Sequence, residues 1–262
     1  MNRDDEFRHE PVMVEEVLEL LEPGRGGWFL DGTVGGGGHA AALLDRFPAA
    51  RVFGLDRDPE AVAAARRQLE PYGDRARIER ANFRNAREVV GAATDIVVDD
   101  DGLAGALLDL GVSSEQIDTT ARGFSFRLDT PLDMRMGGTT SGRRPAADFL
   151  NHASERELGR VFREYGEERR WKRLARAVVR RREEAPYETS GDLVETLEEV
   201  LGPRLTNQDK ARVFQALRIE VNDELGALEE GLDVVRELLE EGGRMVVIAY
   251  HSLEDRIVKN AF

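Results

Sequence analysis

Short apolar runs recur along the chain and predict five β-strands. They lie at Trp28–Asp31, Val52–Asp56, Arg77–Arg80, Ala104–Leu110 and Arg244–Tyr250. All but the third are nearly continuous in hydrophobic residues, which is typical of strands buried on both faces of a parallel sheet. We therefore expect a sheet that is covered by helices on both sides.

Helical patterns separate the early strands. One follows the first strand at Ala40–Phe47, and a second lies at Pro59–Leu69, where Asp58 is a predicted N-cap and Pro59 takes the first helical position. Strands that alternate with helices in this way predict an α/β fold with a doubly wound, mostly parallel sheet, similar to the Rossmann fold.

The alternation is interrupted after the fourth strand, because the fifth begins far along the chain. The intervening segment is too long for a structureless loop and carries its own helical patterns, at Glu155–Arg182, Ser190–Leu201 and Asp209–Val221. We interpret residues 116–225 as an inserted, mostly helical domain, and residues 1–115 with 226–262 as the sheet domain. Glu224–Glu241 is predicted to be the helix that returns to the sheet, ended by Gly242-Gly243.

A glycine-rich turn follows the first predicted strand. Five of the seven residues after Asp31 are glycine, and a helix is predicted directly afterwards. Strand, glycine turn and helix in this order bring a backbone close to a nucleotide-like ligand, and we expect a Cβ in the turn to obstruct that ligand. The turn lacks the Lys and Ser/Thr of an ATP phosphate loop, which favours a ligand held by its ribose and base.

Aspartates end three of the predicted strands, namely Asp31, Asp56 and Asp109. Carboxyl ends of parallel strands meet at one edge of a sheet, where ligands bind in open α/β folds. Three carboxylates there suit a ligand that is both cationic and rich in hydroxyls, such as S-adenosylmethionine. Helix and turn capping by these aspartates is the alternative. A nicotinamide cofactor also stays open, although the turn fits G-x-G-x-x-G poorly.

Two further strand ends carry polar and aromatic side chains. Asn82-Phe83 follows the third strand and could bracket a purine, although a Phe that returns to the core is the more common case. Tyr250 and His251 follow the fifth strand, where a histidine could move a proton or contact phosphate. The alternative is a helix start formed by Ser252 and Asp255.

Composition narrows the functional class. The 262 residues include no cysteine and carry a net charge of −14, so disulfides and thiolate metal sites are excluded and no metal site is predicted. We find no signal peptide and no apolar run near the roughly 20 residues of a membrane span, and we expect a cytoplasmic protein. The acidity argues against a nucleic-acid partner. However, arginines cluster between Arg156 and Arg182, where they could form either a polyanion-binding stripe or a solvated helix face.

Long sequence blocks connect the chain to a known family. In order, they are His9-Glu10-Pro11-Val12, Asp31-Gly32-Thr33 through His39, Leu55 to Pro59, Leu108 to Ser114, Arg122 to Phe126, Pro131-Leu132-Asp133-Met134-Arg135-Met136, Tyr165 to Glu168, Phe214 to Asn222 and His251 to Lys259. With these blocks the chain resembles the bacterial family of ribosomal RNA small subunit methyltransferase H (RsmH, also called MraW).

This resemblance implies a class I methyltransferase that uses S-adenosylmethionine to methylate the exocyclic N4 of a cytidine in 16S ribosomal RNA, near the decoding centre. Carried over residue by residue, it implies cofactor contacts from Gly37, Gly38, His39, Asp56, Phe83, Asp109 and Gln116. Two departures stand out. The family usually has His-Pro-Ala-Thr-Arg before Phe214, whereas this chain has Gln208-Asp209-Lys210-Ala211-Arg212. The chain also ends at Phe262, without the usual C-terminal tail, and we expect weaker binding to RNA.

We expect the chemistry to lie at the fourth and fifth strand ends. The strand end Asp109–Ser113 would supply an acceptor for the target amino group, either a backbone carbonyl or Asp109 itself, while Tyr250 and His251 would flank the base. The segment Gly123–Met136 would close over it, with Phe124 or Phe126 as stacking partner. Three arginines are expected to contact the RNA, namely Arg135, Arg173 and Arg212.

Other functions remain open at this stage. They are a methyltransferase for small molecules or proteins, a nicotinamide oxidoreductase, and a ribosome-assembly factor without catalytic activity. The sequence also leaves open whether the chain forms a homodimer.

Overall fold

The computed structural model describes residues 11–93, 102–112, 122–126 and 129–262. The chain divides into two compact units, the first formed by residues 1–111 with 226–262 and the second by residues 112–225. The predicted domain boundary between 115 and 116 lies a few residues beyond the boundary of these units. Each unit has its own hydrophobic core.

The first unit is built on a five-stranded sheet in the order β3-β2-β1-β4-β5. The strands are β1 (Gly27–Asp31), β2 (Ala50–Asp56), β3 (Ala76–Arg80), β4 (Leu103–Asp109) and β5 (Leu239–Ile248), and every neighbouring pair is parallel. The predicted doubly wound, Rossmann-like α/β fold is therefore confirmed.

Helices cover both faces of this sheet. They are α1 (Val14–Leu21), α2 (Gly38–Arg46), α3 (Pro59–Leu69), α4 (Ala86–Ala92), α10 (Glu224–Leu238) and α11 (Ser252–Ala261). Side chains alternate along β1, so that Phe29 packs with α1–α3 on one face while Trp28 and Leu30 pack with α4 and α10 on the other. As predicted, Asp58 caps α3 by accepting a hydrogen bond from the backbone N–H of Glu60, 3.0 Å away.

The second unit is mostly helical. Its helices are α5 (Ala146–His152), α6 (Glu155–Glu164), α7 (Trp171–Glu184), α8 (Ser190–Leu201) and α9 (Asn207–Asn222). Their core includes the fully buried Phe162, Leu174, Leu193 and Leu217. None of the helices that the structure describes, in either unit, combines the length and apolar character needed to cross a membrane.

Three details of the predicted elements are wrong. The stretch Glu155–Arg182 is two helices, because Gly166 packs against the backbone of Phe162 and Glu167 takes a left-handed conformation (φ 47°). Gly242-Gly243 does not end α10, which already ends at Leu238. These glycines lie inside β5, where the pairing with β4 shifts register and Gly242 has φ 78°.

The third correction concerns the start of α11. The N-cap is His251 instead of Ser252, and Glu254 completes a capping box in place of the predicted pair of Ser252 and Asp255. The imidazole Nδ1 accepts the backbone N–H of Glu254 at 3.4 Å, as a hydroxyl or carboxylate cap would do.

Candidate active site

The glycine turn links the three predicted aspartates through backbone hydrogen bonds. Asp31 Oδ1 accepts the N–H of Thr33 at 3.3 Å, and Thr33 Oγ1 accepts the N–H of Asp109 at 2.7 Å. Further along the turn, the N–H of Gly35 donates to Asp56 Oδ2 at 3.0 Å. One turn therefore holds the ends of β1, β2 and β4 together, and all three carboxylates gather at one edge of the sheet.

Burial and mutual repulsion act on these carboxylates. Burial raises the pKa of Asp31 to about 7, with smaller contributions in the same direction from the negative charges of Asp109 and Asp56, against the hydrogen bond from Thr33. Burial likewise raises the pKa of Asp56, although the backbone N–H groups of Asp58 and Gly35 oppose it. A site that raises the pKa of its acids in this way favours a positive charge nearby.

The glycines of the turn have different structural roles. Gly37 has φ 91°, and a Cβ there would lie 3.3 Å from Leu69 Cγ, while a Cβ on Gly38 would lie 2.9 Å from Pro11 Cγ. A Cβ on Gly36 would meet no atom within 4 Å. Packing inside the protein therefore explains the glycines at positions 37 and 38 without a ligand. Of these three positions, only Gly36 leaves open space in which a ligand could be the reason for the missing Cβ.

His39 lies on the first turn of α2, beside Asp109. Its Nε2 is 2.8 Å from the carbonyl oxygen of Val12, which can only accept, so this nitrogen carries the hydrogen. Its Nδ1 lies 3.8 Å from Asp109 Oδ2, beyond hydrogen-bond distance. His39 is thus oriented by Val12 and contributes a buried wall next to the aspartate.

Tyr250 brings a phenol to the same aspartate. Its hydroxyl donates to Asp109 Oδ1 at 2.9 Å, and just over half of its side chain is exposed. Burial of the hydroxyl and the negative charge of Asp109 both raise the pKa of Tyr250, so the phenol remains a hydrogen-bond donor. Asp109 and Tyr250 form a polar pair at the carboxyl ends of β4 and β5.

Glu254 and Thr33 are site residues that the sequence reasoning missed. The buried carboxylate of Glu254 accepts the backbone N–H of Tyr250 at 2.9 Å and that of His251 at 3.3 Å, which fixes the strand end that carries the phenol. Thr33 joins the ends of β1 and β4 through hydrogen bonds with Asp31 and Asp109. A polar residue inside a glycine turn was the available signal for its role.

His251 is not brought together with Asp109. Its Nδ1 caps α11, and its Nε2 lies 3.2 Å from Glu254 Oε1, shielded from solvent. The ring therefore faces its own helix. Phe83 is partly buried and packs against the cluster of Leu108, Leu110, Leu228 and Leu232, with Gly231 leaving room for its ring. Gln116 lies outside the described residues.

The predicted RNA-contacting residues of the helical unit differ in their surroundings. Phe124 and Phe126 pack against its core, and Phe126 meets Phe214 edge to face with ring centroids 5.7 Å apart. Arg135 is bound by both carboxylate oxygens of Asp133, at 2.7 and 2.6 Å.

The two remaining arginines of this set are more accessible. Arg173 is exposed, and its side chain has no hydrogen bond or ion pair among the described residues. Arg212 pairs with Asp209 and keeps part of its surface exposed. Among the residues that the structure describes, no group of three or more His, Asp or Glu side chains could hold a metal ion.

Comparisons with known proteins match nearly the whole chain. The sequence model of the MraW methylase family matches residues 6–262. Ribosomal RNA small subunit methyltransferase H from Heliobacterium modesticaldum is 49% identical over 98% of this chain and 81% of that protein. The protein of the same name from Syntrophotalea carbinolica is 50% identical over the same shares.

Similarity to solved structures is low. An rRNA methylase from Streptococcus thermophilus is 17% identical, with a TM-score of 0.28 over 37% of this chain and 52% of that one. The family assignment rests on the sequence matches, which cover both units. The chain belongs to the MraW methylase family.

Proposed function

We propose that this protein uses S-adenosylmethionine to methylate the N4 amino group of one cytidine in 16S ribosomal RNA, near the decoding centre. The observation that carries the proposal is the 49% identity, over 98% of the chain, to a relative named ribosomal RNA small subunit methyltransferase H. A ribosomal RNA substrate also places the protein in the cytoplasm.

The residues at the edge of the sheet fit this cofactor. When bound, S-adenosylmethionine supplies a methyl group on a sulfonium, and it also carries an ammonium group and a ribose diol. Asp56 would accept hydrogen bonds from the diol, while Asp31 and Asp109 would offset the positive charges. Gly37, Gly38, His39 and Phe83 would line the site beside the open space at Gly36, and the family resemblance adds Gln116.

The target amino group sets the chemical demand on the protein. Its lone pair is delocalised into the cytosine ring, which makes it a poor nucleophile. Fixing this nitrogen in line with the methyl group contributes several kcal/mol, on the order of 7–11 in the best-oriented systems. The base must also leave its stack to enter a pocket, which costs a few kcal/mol. A proton acceptor next to the nitrogen adds general-base catalysis.

Asp109 is the residue that we propose as acceptor. The methyl group would leave the sulfonium, which becomes a neutral thioether, as the new N–C bond forms, and the amino nitrogen would pass one proton to the carboxylate of Asp109. Tyr250 donates to Oδ1 at 2.9 Å and so holds the carboxylate in one orientation. His251, which caps α11, would contribute through the position of the strand end next to Tyr250.

In this proposal the helical unit, residues 116–225 of the predicted division, recognises the RNA. Its exposed arginines, including Arg173, offer cations to phosphates. Phe124, Phe126, Arg135 and Arg212 would act from this unit as well, with Arg135 positioned through its pairing with Asp133.

The proposal is tested by transfer of labelled methyl groups to isolated 30S subunits, free 16S ribosomal RNA and free nucleosides. We expect transfer to an RNA substrate, and digestion of the product should release N4-methylcytidine. Methylation of nucleosides or proteins alone would instead support a methyltransferase of another class. Cofactor binding without any transfer would support an assembly factor. Calorimetric titration with S-adenosylmethionine and with NAD tests the oxidoreductase alternative, which requires binding of NAD.

A further inference from the structure

A cavity lined by arginines lies within the helical unit, among the ends of three helices. Its volume is about 410 Å³, and its lining comes from the start of α7, the end of α8 and the start of α9. Four of the eight lining residues are arginines, namely Arg169, Arg170, Arg204 and Arg212. In a chain with a net charge of −14, this concentration of cations is unusual.

Two of these arginines are not used by the fold. Arg169 and Arg204 are exposed, and neither has a side-chain hydrogen bond or ion pair within the described part of the chain. Arg170, in contrast, donates to the carbonyls of Val200 and Leu201 and so joins the start of α7 to the end of α8. One arginine of the cavity therefore stabilises the fold, while the side chains of Arg169 and Arg204 can contact a ligand.

Arg212 adds an unsatisfied donor. One of its terminal nitrogens pairs with Asp209, but its Nε is shielded from solvent and has no acceptor among the described residues. Buried donors in proteins nearly always have an acceptor, and an unpaired one calls for an explanation. An anion in the cavity would supply the acceptor.

The start of α7 strengthens the positive potential. This helix has no acidic residue in its first turn and no capping side chain, and Lys172 and Arg173 take its second and third positions. Cations at a helix N-terminus oppose the helix dipole, which costs about 0.3–1 kcal/mol each at exposed positions. An anion bound nearby would offset this cost.

The acidic lining residues do not cancel these cations. Glu168 is buried and accepts the backbone N–H of Arg170 at 2.7 Å. Asp209 belongs to the capping box of α9 and pairs with Arg212. Only Glu167 has no side-chain partner among the described residues, against two such arginines.

We infer that this cavity binds a phosphate of the substrate RNA backbone, and so anchors the RNA on the helical unit through Arg169, Arg204 and Arg212. The inference rests on the proposed function for its occupant. Most other arginines of the stripe are already engaged inside the unit. Acidic side chains pair with Arg160, Arg163, Arg176, Arg180 and Arg181, and backbone carbonyls accept from Arg182. The cavity is therefore the place where unpaired arginines of this unit converge, while Arg156 and Arg173 remain exposed outside it.

The test uses the full chain with both exposed arginines reversed, Arg169→Glu with Arg204→Glu. A matched control reverses two arginines of the sheet unit, Arg67→Glu with Arg256→Glu, which are likewise exposed and have no side-chain hydrogen bond or ion pair within the described part of the chain. Two quantities are measured for each protein. One is the rise in melting temperature in inorganic phosphate over chloride at equal ionic strength, and the other is the affinity for 16S ribosomal RNA as a function of salt.

We expect the cavity variant to lose the phosphate effect and at least tenfold of its RNA affinity, with a salt slope shallower by about 1 to 2. The control variant should keep the rise in melting temperature in phosphate, and its RNA affinity should depend on salt more steeply than that of the cavity variant. Equal behaviour of the two variants overturns the inference. If the cavity variant loses the phosphate effect but keeps its RNA affinity, the cavity binds an anion other than the RNA backbone. A wild-type protein that binds phosphate but neither binds nor methylates RNA would refute the proposed function, while the phosphate measurement still decides whether the cavity is an anion site.

Discussion

The phenol of Tyr250 donates a hydrogen bond to Asp109 Oδ1 across the carboxyl ends of β4 and β5, with 2.9 Å between the oxygens. The two residues are far apart in sequence, and adjacent parallel strands bring them together. Backbone hydrogen bonds from Tyr250 and His251 to Glu254 fix one side of the pair, and the bond from Asp109 to Thr33 fixes the other. A carboxylate held in this way is suited to take a proton from a substrate.

Tyr250→Phe tests the pair. We expect the rate of methyl transfer to fall about tenfold to a hundredfold, because the carboxylate loses a charge-assisted hydrogen bond of about 1.5–3 kcal/mol. Cofactor affinity should change little. The acidic limb of the pH–rate profile should move to higher pH, since a bond that favours the charged carboxylate is gone.

Tyr72→Phe is the matched control for that variant. It also removes a tyrosine hydroxyl bonded to an aspartate, Asp45, at 2.7 Å in the same unit, but away from the strand ends. We expect its transfer rate and pH profile to equal those of the wild type. A Tyr250→Phe profile indistinguishable from this control would argue against the role of the pair.

Asp31→Asn tests the charge at the end of β1. Burial raises the pKa of Asp31 from 3.8 to about 7, so between these pH values the folded protein keeps a proton that the unfolded chain has lost. The contribution of Asp31 to the free energy of unfolding therefore falls as pH rises from 3.8 to about 7, and is constant above. Asparagine removes this decline in stability, and at pH 8 the variant should be more stable by on the order of 4 kcal/mol.

Urea denaturation at pH 5 and pH 8 measures the effect, with the exposed Asp74→Asn as control. The gain in stability should be larger at pH 8 than at pH 5, whereas the control should show none. Affinity for S-adenosylmethionine should fall about tenfold in the Asp31→Asn variant. A stabilised variant with full cofactor affinity would show that the buried charge does not face the cofactor.

Two glycine variants separate folding from ligand binding in the turn. Gly37→Ala places a Cβ at φ 91° and 3.3 Å from Leu69, and we expect a loss of about 1–3 kcal/mol in unfolding free energy. Gly36→Ala points a Cβ into open space, so stability should be unchanged while cofactor affinity falls. Calorimetry and thermal unfolding of both variants test this, and wild-type cofactor affinity in Gly36→Ala would contradict the placement of the ligand.

Asn222→Ala tests the helical unit. The buried Asn222 donates to the carbonyls of Met134 and Arg218 and accepts the N–H of Met136 at 2.9 Å, which anchors the segment around Arg135. Removal of this side chain leaves buried backbone groups without hydrogen-bond partners, which should lower the free energy of unfolding by about 1–3 kcal/mol. The midpoint of urea unfolding should fall accordingly, while the exposed Asn207→Ala should not lower it.

The sequence predicted the sheet and the helices well, because buried strands and amphipathic helices have strong periodicities. The predicted helix at Ser190–Leu201 has the observed bounds. The predicted boundaries were wrong where close packing or a bulge, and not periodicity, determines where an element begins or ends. The break before Trp171 depends on close packing at Gly166, and the early start of β5 at Leu239 depends on a bulge at Gly242. Neither leaves a periodic signal.

The acidic residues of the candidate site could be predicted from the sequence, but the hydrogen bonds between its side chains could not. Aspartates at strand ends follow from topology, since parallel strands end at one edge. That Tyr250 turns toward Asp109, while His251 turns back to cap α11, depends on the rotamers at one strand end. Hydrogen bonds of this kind join residues that are distant in sequence, so no spacing reveals them.

The most direct test of the central claim is methyl transfer from labelled S-adenosylmethionine to isolated 30S subunits by the wild type and by Asp109→Ala. We expect N4-methylcytidine in 16S ribosomal RNA from the wild type, and a loss of at least a hundredfold in rate for the variant. An Asp109→Ala protein that keeps both its cofactor affinity and its methylation rate would contradict the account.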